Sequence, residues 1–109
     1  MSDNQDYVEQ NYQGQVVLVT GGTKGIGFGI AIGFLAAGAD VIVCGRKEPE
    51  AAPQVQVNGV LRKAHFIQAD VKDTDSIAAL FNAIKDKFGC LDVLVNNAGG
   101  SPFALADKA

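Results

Sequence analysis

Cysteine and histidine are scarce in this sequence: Cys44, Cys90 and His65 are the whole supply among 109 residues. The two cysteines are too far apart for a C-x-x-C pair or a zinc-ligand cluster, so metal-centred and dithiol chemistry are not expected. Both border expected strands, which predicts two buried thiols in a reducing compartment. His65 stands beside Phe66 and Ile67, the setting of a packed or surface histidine rather than of a ligand or a base. Positive charge is also short, with nine Lys and Arg against twelve Asp and Glu. The basic residues are scattered and leave no footprint for a nucleic-acid backbone. No apolar run approaches the roughly 18 residues of a membrane span. The N-terminal stretch MSDNQDYVEQNYQGQ lacks the basic and apolar segments of a secretory signal. These absences predict a cytoplasmic protein without nucleic-acid, membrane or metal partners. The remaining composition, 48% hydrophobic and 19% charged, is that of a globular domain. A chain of this length has one modest core, burying roughly 65% of its unfolded surface.

Glycine is abundant, and Gly21, Gly22, Gly25, Gly27, Gly29 and Gly33 crowd one short stretch. Residues 1–14 have no periodicity and read as a flexible arm, followed by a domain from 15 to 109. Val16-Val17-Leu18-Val19 is a continuous apolar run, the pattern of a strand buried on both faces of a parallel sheet. Small and apolar residues from Ile26 to Ala37 predict a helix stopped by Gly38, and Val41–Cys44 predicts a second strand. From Gly45 to Ala64 the pattern weakens, because Pro49, Pro53 and Asn58-Gly59 interrupt it; a short or irregular crossover helix is expected. His65–Gln68 reads as a third strand. Asp73-Thr74-Asp75-Ser76 offers N-cap chemistry to a helix whose Ile77, Leu80, Phe81, Ile84 and Phe88 share one apolar face and which Gly89 ends. Leu91–Val95 reads as a fourth strand, and Phe103–Ala106 as the start of another helix. Strands alternating with long crossovers imply right-handed βαβ units.

A sharp turn at the carboxyl end of the first strand lets a diphosphate approach backbone that carries no Cβ, which suits Gly21 and Gly25. The following helix N-terminus offers unpaired N–H groups and partial positive charge. Gly27 is expected to bring the helix close to the sheet, and Gly25, Gly29, Gly33 and Ala37, four residues apart, to form a bare face pressed on a strand. The spacing is neither G-x-G-x-x-G nor the P-loop pattern.

Thr20-Gly21-Gly22-Thr23-Lys24-Gly25-Ile26-Gly27 resembles the T-G-x-x-x-G-I-G segment of the short-chain dehydrogenase/reductase family, and Asn96-Asn97-Ala98-Gly99 resembles its N-N-A-G. Asp70-Val71 lies between them, after the third strand. The resemblance implies an α/β fold, a Rossmann-type parallel sheet with flanking helices in strand order 3-2-1-4, truncated here after about four strands. It implies a nicotinamide dinucleotide and hydride transfer between an alcohol and a carbonyl. Thr20, Gly21, Thr23, Lys24, Gly25, Ile26 and Gly27 are then the pyrophosphate turn, and Asp70 and Val71 the adenine contacts. Asn96, Asn97, Ala98 and Gly99 lie near the ribose and nicotinamide. The local alternatives are a capping or turn role for Asp70 and turn chemistry for Asn96-Asn97. The implied partners are a small alcohol or carbonyl substrate and further copies of the complete protein, in a dimer or tetramer.

An acid at the end of the second strand binds the ribose 2′-hydroxyl of NAD, whereas NADP requires positive charge there. Asp40 precedes the strand and sits at its wrong end. Arg46 follows the strand and, with Lys24, predicts NADP over NAD, although Glu48 reduces the preference; Arg46 and Lys47 could also simply solvate a loop. The family's catalytic Y-x-x-x-K is missing: Tyr7 and Tyr12 are the two tyrosines, and neither has a lysine four residues on. Ser101 follows Gly99 too closely to match the family's serine. No catalytic residue is assigned. Two other readings stay open: a dinucleotide-binding module without catalysis, and, more weakly, a methyltransferase using S-adenosylmethionine. An open edge on the fourth strand predicts poor solubility.

Overall fold

The computed structural model describes residues 12–97 and the backbone of 104–105. In chain order the elements are β1 (Val16–Thr20), α1 (Gly25–Ala36), β2 (Asp40–Gly45), β3 (Gln54–Val57), β4 (Val60–Lys63), β5 (His65–Gln68), α2 (Thr74–Phe88), β6 (Val93–Asn96) and β7 (Ala104–Leu105). The main sheet has the order β5-β2-β1-β6-β7. Its first four strands are parallel and reproduce the expected order. Of the helix start expected over 103–106, the described residues Ala104–Leu105 are instead a strand that pairs antiparallel with Val95 and Asn96. The unpaired edge of β6 offers N–H and C=O groups that a following segment can satisfy, so this edge is not wholly open.

Successive residues of a strand face opposite sides, and a sheet covered on both sides therefore needs apolar residues at every position. Val17, Val19, Val41 and Val43 point into one core with Ala31 and Leu35 of α1. Val16, Leu18, Ile42 and Cys44 point into the other with Leu80 and Ile84 of α2. β1 is consequently buried along its whole length.

The phase of α1 differs from the expected one. Gly27, Ala31 and Leu35 face the sheet, whereas Gly25, Gly29 and Gly33 are exposed, with open space where a Cβ would stand. A glycine has no side chain to bury and cannot set the rotation of a helix. Leu35, which is fully buried, sets it instead. Tyr12, at the end of the expected arm, is held by an edge-to-face contact with Phe34 at 4.9 Å; residues 1–11 of that arm lie outside the described residues.

The crossover between β2 and β5 is not an irregular helix. It is a two-stranded antiparallel hairpin with Val57 paired to Val60. Asn58 and Gly59 both have positive φ, the two-residue turn that matches strand twist. The hairpin packs against α1 through Val55, which joins the α1-side core. From it Arg62 reaches the end of α1, donating from Nε to the Leu35 carbonyl at 3.0 Å and from a terminal nitrogen to the Ala39 carbonyl at 2.6 Å.

α2 follows its expectation closely. The Asp73 carboxylate accepts the Asp75 N–H at 3.0 Å, and Gly89 closes the helix in the left-handed conformation. Its apolar face is only partly covered, since Leu80 and Ile84 are buried and Phe81 is exposed. Cys44 is buried as expected. Cys90 is instead exposed, because it lies in the connection between α2 and β6 rather than inside a strand.

Candidate dinucleotide site

The carboxyl ends of four parallel strands converge on one edge of the sheet, where α/β folds bind ligands. β1 ends at Thr20 and turns through Gly21 (φ 66°) and Gly25 (φ 64°), a left-handed backbone that favours glycine. Gly22 is buried between strand and turn, and a Cβ there would stand 2.5 Å from Val43 Cγ1. Thr23 lies against Gly45, so the turn reaches over the end of β2.

Lys24 begins α1 with an extended backbone, no side chain caps the helix, and no acid stands in its first turn. The first N–H groups of a helix have no intrahelical acceptor. With the helix dipole they favour an anion in front of Gly25, where a Cβ would meet no atom. Ile26 is 78% exposed beside this space.

Thr20 and the asparagines form one network. Thr20 Oγ1 lies 3.0 Å from Asn96 Oδ1 and 3.4 Å from the Val95 carbonyl, and it accepts the Asn97 N–H at 2.9 Å. Asn97 Nδ2 donates to the Gly21 carbonyl at 3.4 Å. A Cβ on Gly27 would collide with that carbonyl and stand 2.6 Å from Asn97 Nδ2. Gly27 thus leaves room for the Asn97 side chain as well as for the turn. The asparagines tie β6 to the glycine turn, and Thr20 faces them. Ala98 and Gly99 lie outside the described residues.

Beyond β5, Asp70 organises a turn. Its N–H donates to Ser76 Oγ at 2.8 Å, its Oδ1 accepts the Lys72 N–H at 2.9 Å, and its carbonyl accepts the Asp73 N–H at 3.0 Å. The turn alternative for Asp70 is therefore realised, while Asp73 caps α2. Val71 lines a cavity of about 360 Å³ together with Thr20, Lys72, Phe81, Leu94 and Asn96. At the end of β2, Arg46, Lys47 and Glu48 are exposed. Asp40 is at the other end of that strand, opposite Val16 and 4.0 Å from an Arg62 nitrogen.

Burial raises the pKa of the Cys44 thiol, against a smaller lowering by the Gly21 backbone. The pKa of Cys90 is raised by residual desolvation and then by the charge and hydrogen bond of Asp92, whose Oδ2 lies 3.8 Å from Sγ. Among the described residues no group of His, Cys, Asp and Glu could hold a metal ion, and no helix is long and apolar enough to cross a membrane. Sequence reasoning gave no specific role to Gly22 or Gln68. A buried glycine and a polar side chain whose partner lies 22 positions away leave no local pattern to detect.

Residues 15–109 match the short chain dehydrogenase family. L-fucose dehydrogenase of Oryctolagus cuniculus is 43% identical over 91 residues, covering 84% of this chain and 31% of that protein. A 3beta-hydroxysteroid dehydrogenase of Mediterraneibacter gnavus is 39% identical over 94 residues, covering 85% of this chain and 34% of that protein. Among solved structures, the Pseudomonas aeruginosa RhlG/NADP active-site complex superposes with a TM-score of 0.71 at 33% identity, covering 87% of this chain and 38% of that one. The chain spans about a third of the length of the curated relatives it matches. The family match includes the glycine turn, the parallel strands and the asparagines that join them: this chain belongs to the short-chain dehydrogenase family.

Proposed function

We propose that these residues form the NADP(H)-binding portion of a short-chain oxidoreductase that transfers hydride between an alcohol and a carbonyl. The observation that carries this reading is the uncapped N-terminus of α1 behind a glycine turn, with exposed Arg46 at the neighbouring strand end. The residues present fit the dinucleotide. Gly25 leaves space for the pyrophosphate, the first N–H groups of α1 can donate to it, and Arg46 with Lys24 can neutralise a 2′-phosphate. Asp70 and Val71 stand where an adenine would lie, and Asn96 and Asn97 hold the floor toward the ribose and nicotinamide. The bound cofactor supplies the hydride chemistry; this chain's part is to bind and orient it. The relatives named as dehydrogenases and the RhlG/NADP complex support the reading. The partners that follow are a small alcohol or carbonyl compound and further copies of the same protein, in the cytoplasm.

Binding titrations of NADPH and NADH test this. Arg46→Ala is expected to weaken NADPH by roughly ten- to a hundredfold, the worth of one charge-assisted hydrogen bond, and to change NADH little. Equal losses for both cofactors would remove the NADP assignment. A second reading is a dinucleotide-binding module without catalysis; Tyr12 is packed on Phe34. Steady alcohol oxidation by the 109-residue chain with NADP⁺ would overturn that second reading.

A further inference from the structure

We propose that Gln68 is a positioning residue for cofactor selection, acting through the backbone of Arg46. The inference rests on reading Arg46 as the contact to the 2′-phosphate. β2 and β5 end in register, with Gly45 opposite Gln68, and the Ala69 N–H donates to the Gly45 carbonyl at 2.9 Å. Immediately beyond this bond the chain leaves the sheet at Arg46. There the Gln68 side chain donates from Nε2 to the Arg46 carbonyl at 3.0 Å. The carbonyl accepts only, so the amide must present its nitrogen.

This bond acts where direction matters. An arginine side chain has several rotatable bonds, and its reach to a phosphate depends on the backbone from which it projects. Fixing the peptide that follows its Cα narrows the orientations of that backbone. The ordering cost of engaging a phosphate falls accordingly. On the other side of β2, Thr23 lies against Gly45. The strand exit is thus held between the glycine turn and Gln68. Gln68 is itself exposed, so its contribution to the core is small and the bond's effect belongs to Arg46.

The test compares NADPH and NADH affinities of the full chain carrying Gln68→Met, which keeps the length and removes the donor, and Gln68→Ala. NADPH binding is expected to weaken roughly three- to tenfold, the range of one neutral hydrogen bond. NADH affinity and the thermal midpoint are expected to stay unchanged. In an Arg46→Ala background the same substitutions are expected to have no further effect on either cofactor, which a merely structural role would not produce. Parallel weakening of both cofactors, or an unchanged NADPH affinity, overturns the proposal. An unchanged cofactor ratio in Arg46→Ala overturns the reading beneath it as well. A changed ratio there with an unchanged ratio in Gln68→Met overturns the role of Gln68 alone.

Discussion

Glycine residues in and after the turn have opposite roles according to what surrounds them. A Cβ on Gly27 would meet the Gly21 carbonyl and Asn97 Nδ2, neither of which can move without breaking the link between β1 and β6. Gly27→Ala is expected to destabilise the chain by about 1–3 kcal/mol, the range of overpacking, and to weaken dinucleotide binding. Gly29, two residues further along α1 and on its opposite, exposed face, meets open space. There alanine lowers the entropy of the unfolded chain without a clash, so Gly29→Ala is expected to stabilise by roughly 0.4–1 kcal/mol. Urea unfolding of the two variants checks both signs. The cysteines differ in a similar way. Cys44 is buried and Cys90 exposed, and both thiols have raised pKa values. Raising a thiol pKa reduces the thiolate at a given pH, and the thiolate is the nucleophile. Alkylation of the native chain near pH 8 is expected to label Cys90 alone, more slowly than a free thiol. Asp92→Asn, which removes the nearby charge, is expected to speed it; mass spectrometry of a time course checks both.

At the scale of elements, α2 and the β3–β4 hairpin differ in how they are held. α2 has its own cap, period and stop: the Asp73 cap, the Leu80 and Ile84 face, and Gly89. Asp73→Ala is expected to cost about 1 kcal/mol, the usual worth of an N-cap, read as a lower thermal midpoint. The hairpin has its own turn but depends on α1 for burial. Gln54-Val55-Gln56-Val57 alternates and Asn58-Gly59 follows, a legible hairpin signal. Pro49 and Pro53 just before it, and the expectation of a crossover helix, obscured it. Arg62 joins the hairpin to the last turn of α1 through carbonyl bonds; its ion pair with Asp40, half exposed and at 4.0 Å, adds little.

For the whole molecule, two packed cores share one sheet, and apolar surface is nevertheless exposed at Ile26, Val60, Leu61 and Phe81. The cavity bordered by Phe81, Leu80 and Leu94 adds to it. Such surface favours non-specific association. The chain is expected to sediment with a concentration-dependent mass and to melt broadly, and Phe81→Ser is expected to reduce the association. A sharp, concentration-independent transition of a monomer would contradict this.

The four parallel strands themselves, the glycine turn and α2 were legible because their causes are local, whereas the strand order came only with the family resemblance. Apolar runs, turn glycines and caps act between residues a few positions apart, so the chain carries them wherever it goes. Other features required the strands to meet. Thr20 and Asn96 are separated by 76 positions, and no local pattern shows that the asparagines face β1 as well as the site. The phase of α1 was decided by Leu35 finding the core rather than by the spacing of its glycines. The sequence by itself determined which elements form and where an anion could sit. Tertiary structure alone decided which face α1 buries and which distant side chains hold the site's backbone, because those choices depend on contacts that exist only after the sheet has assembled.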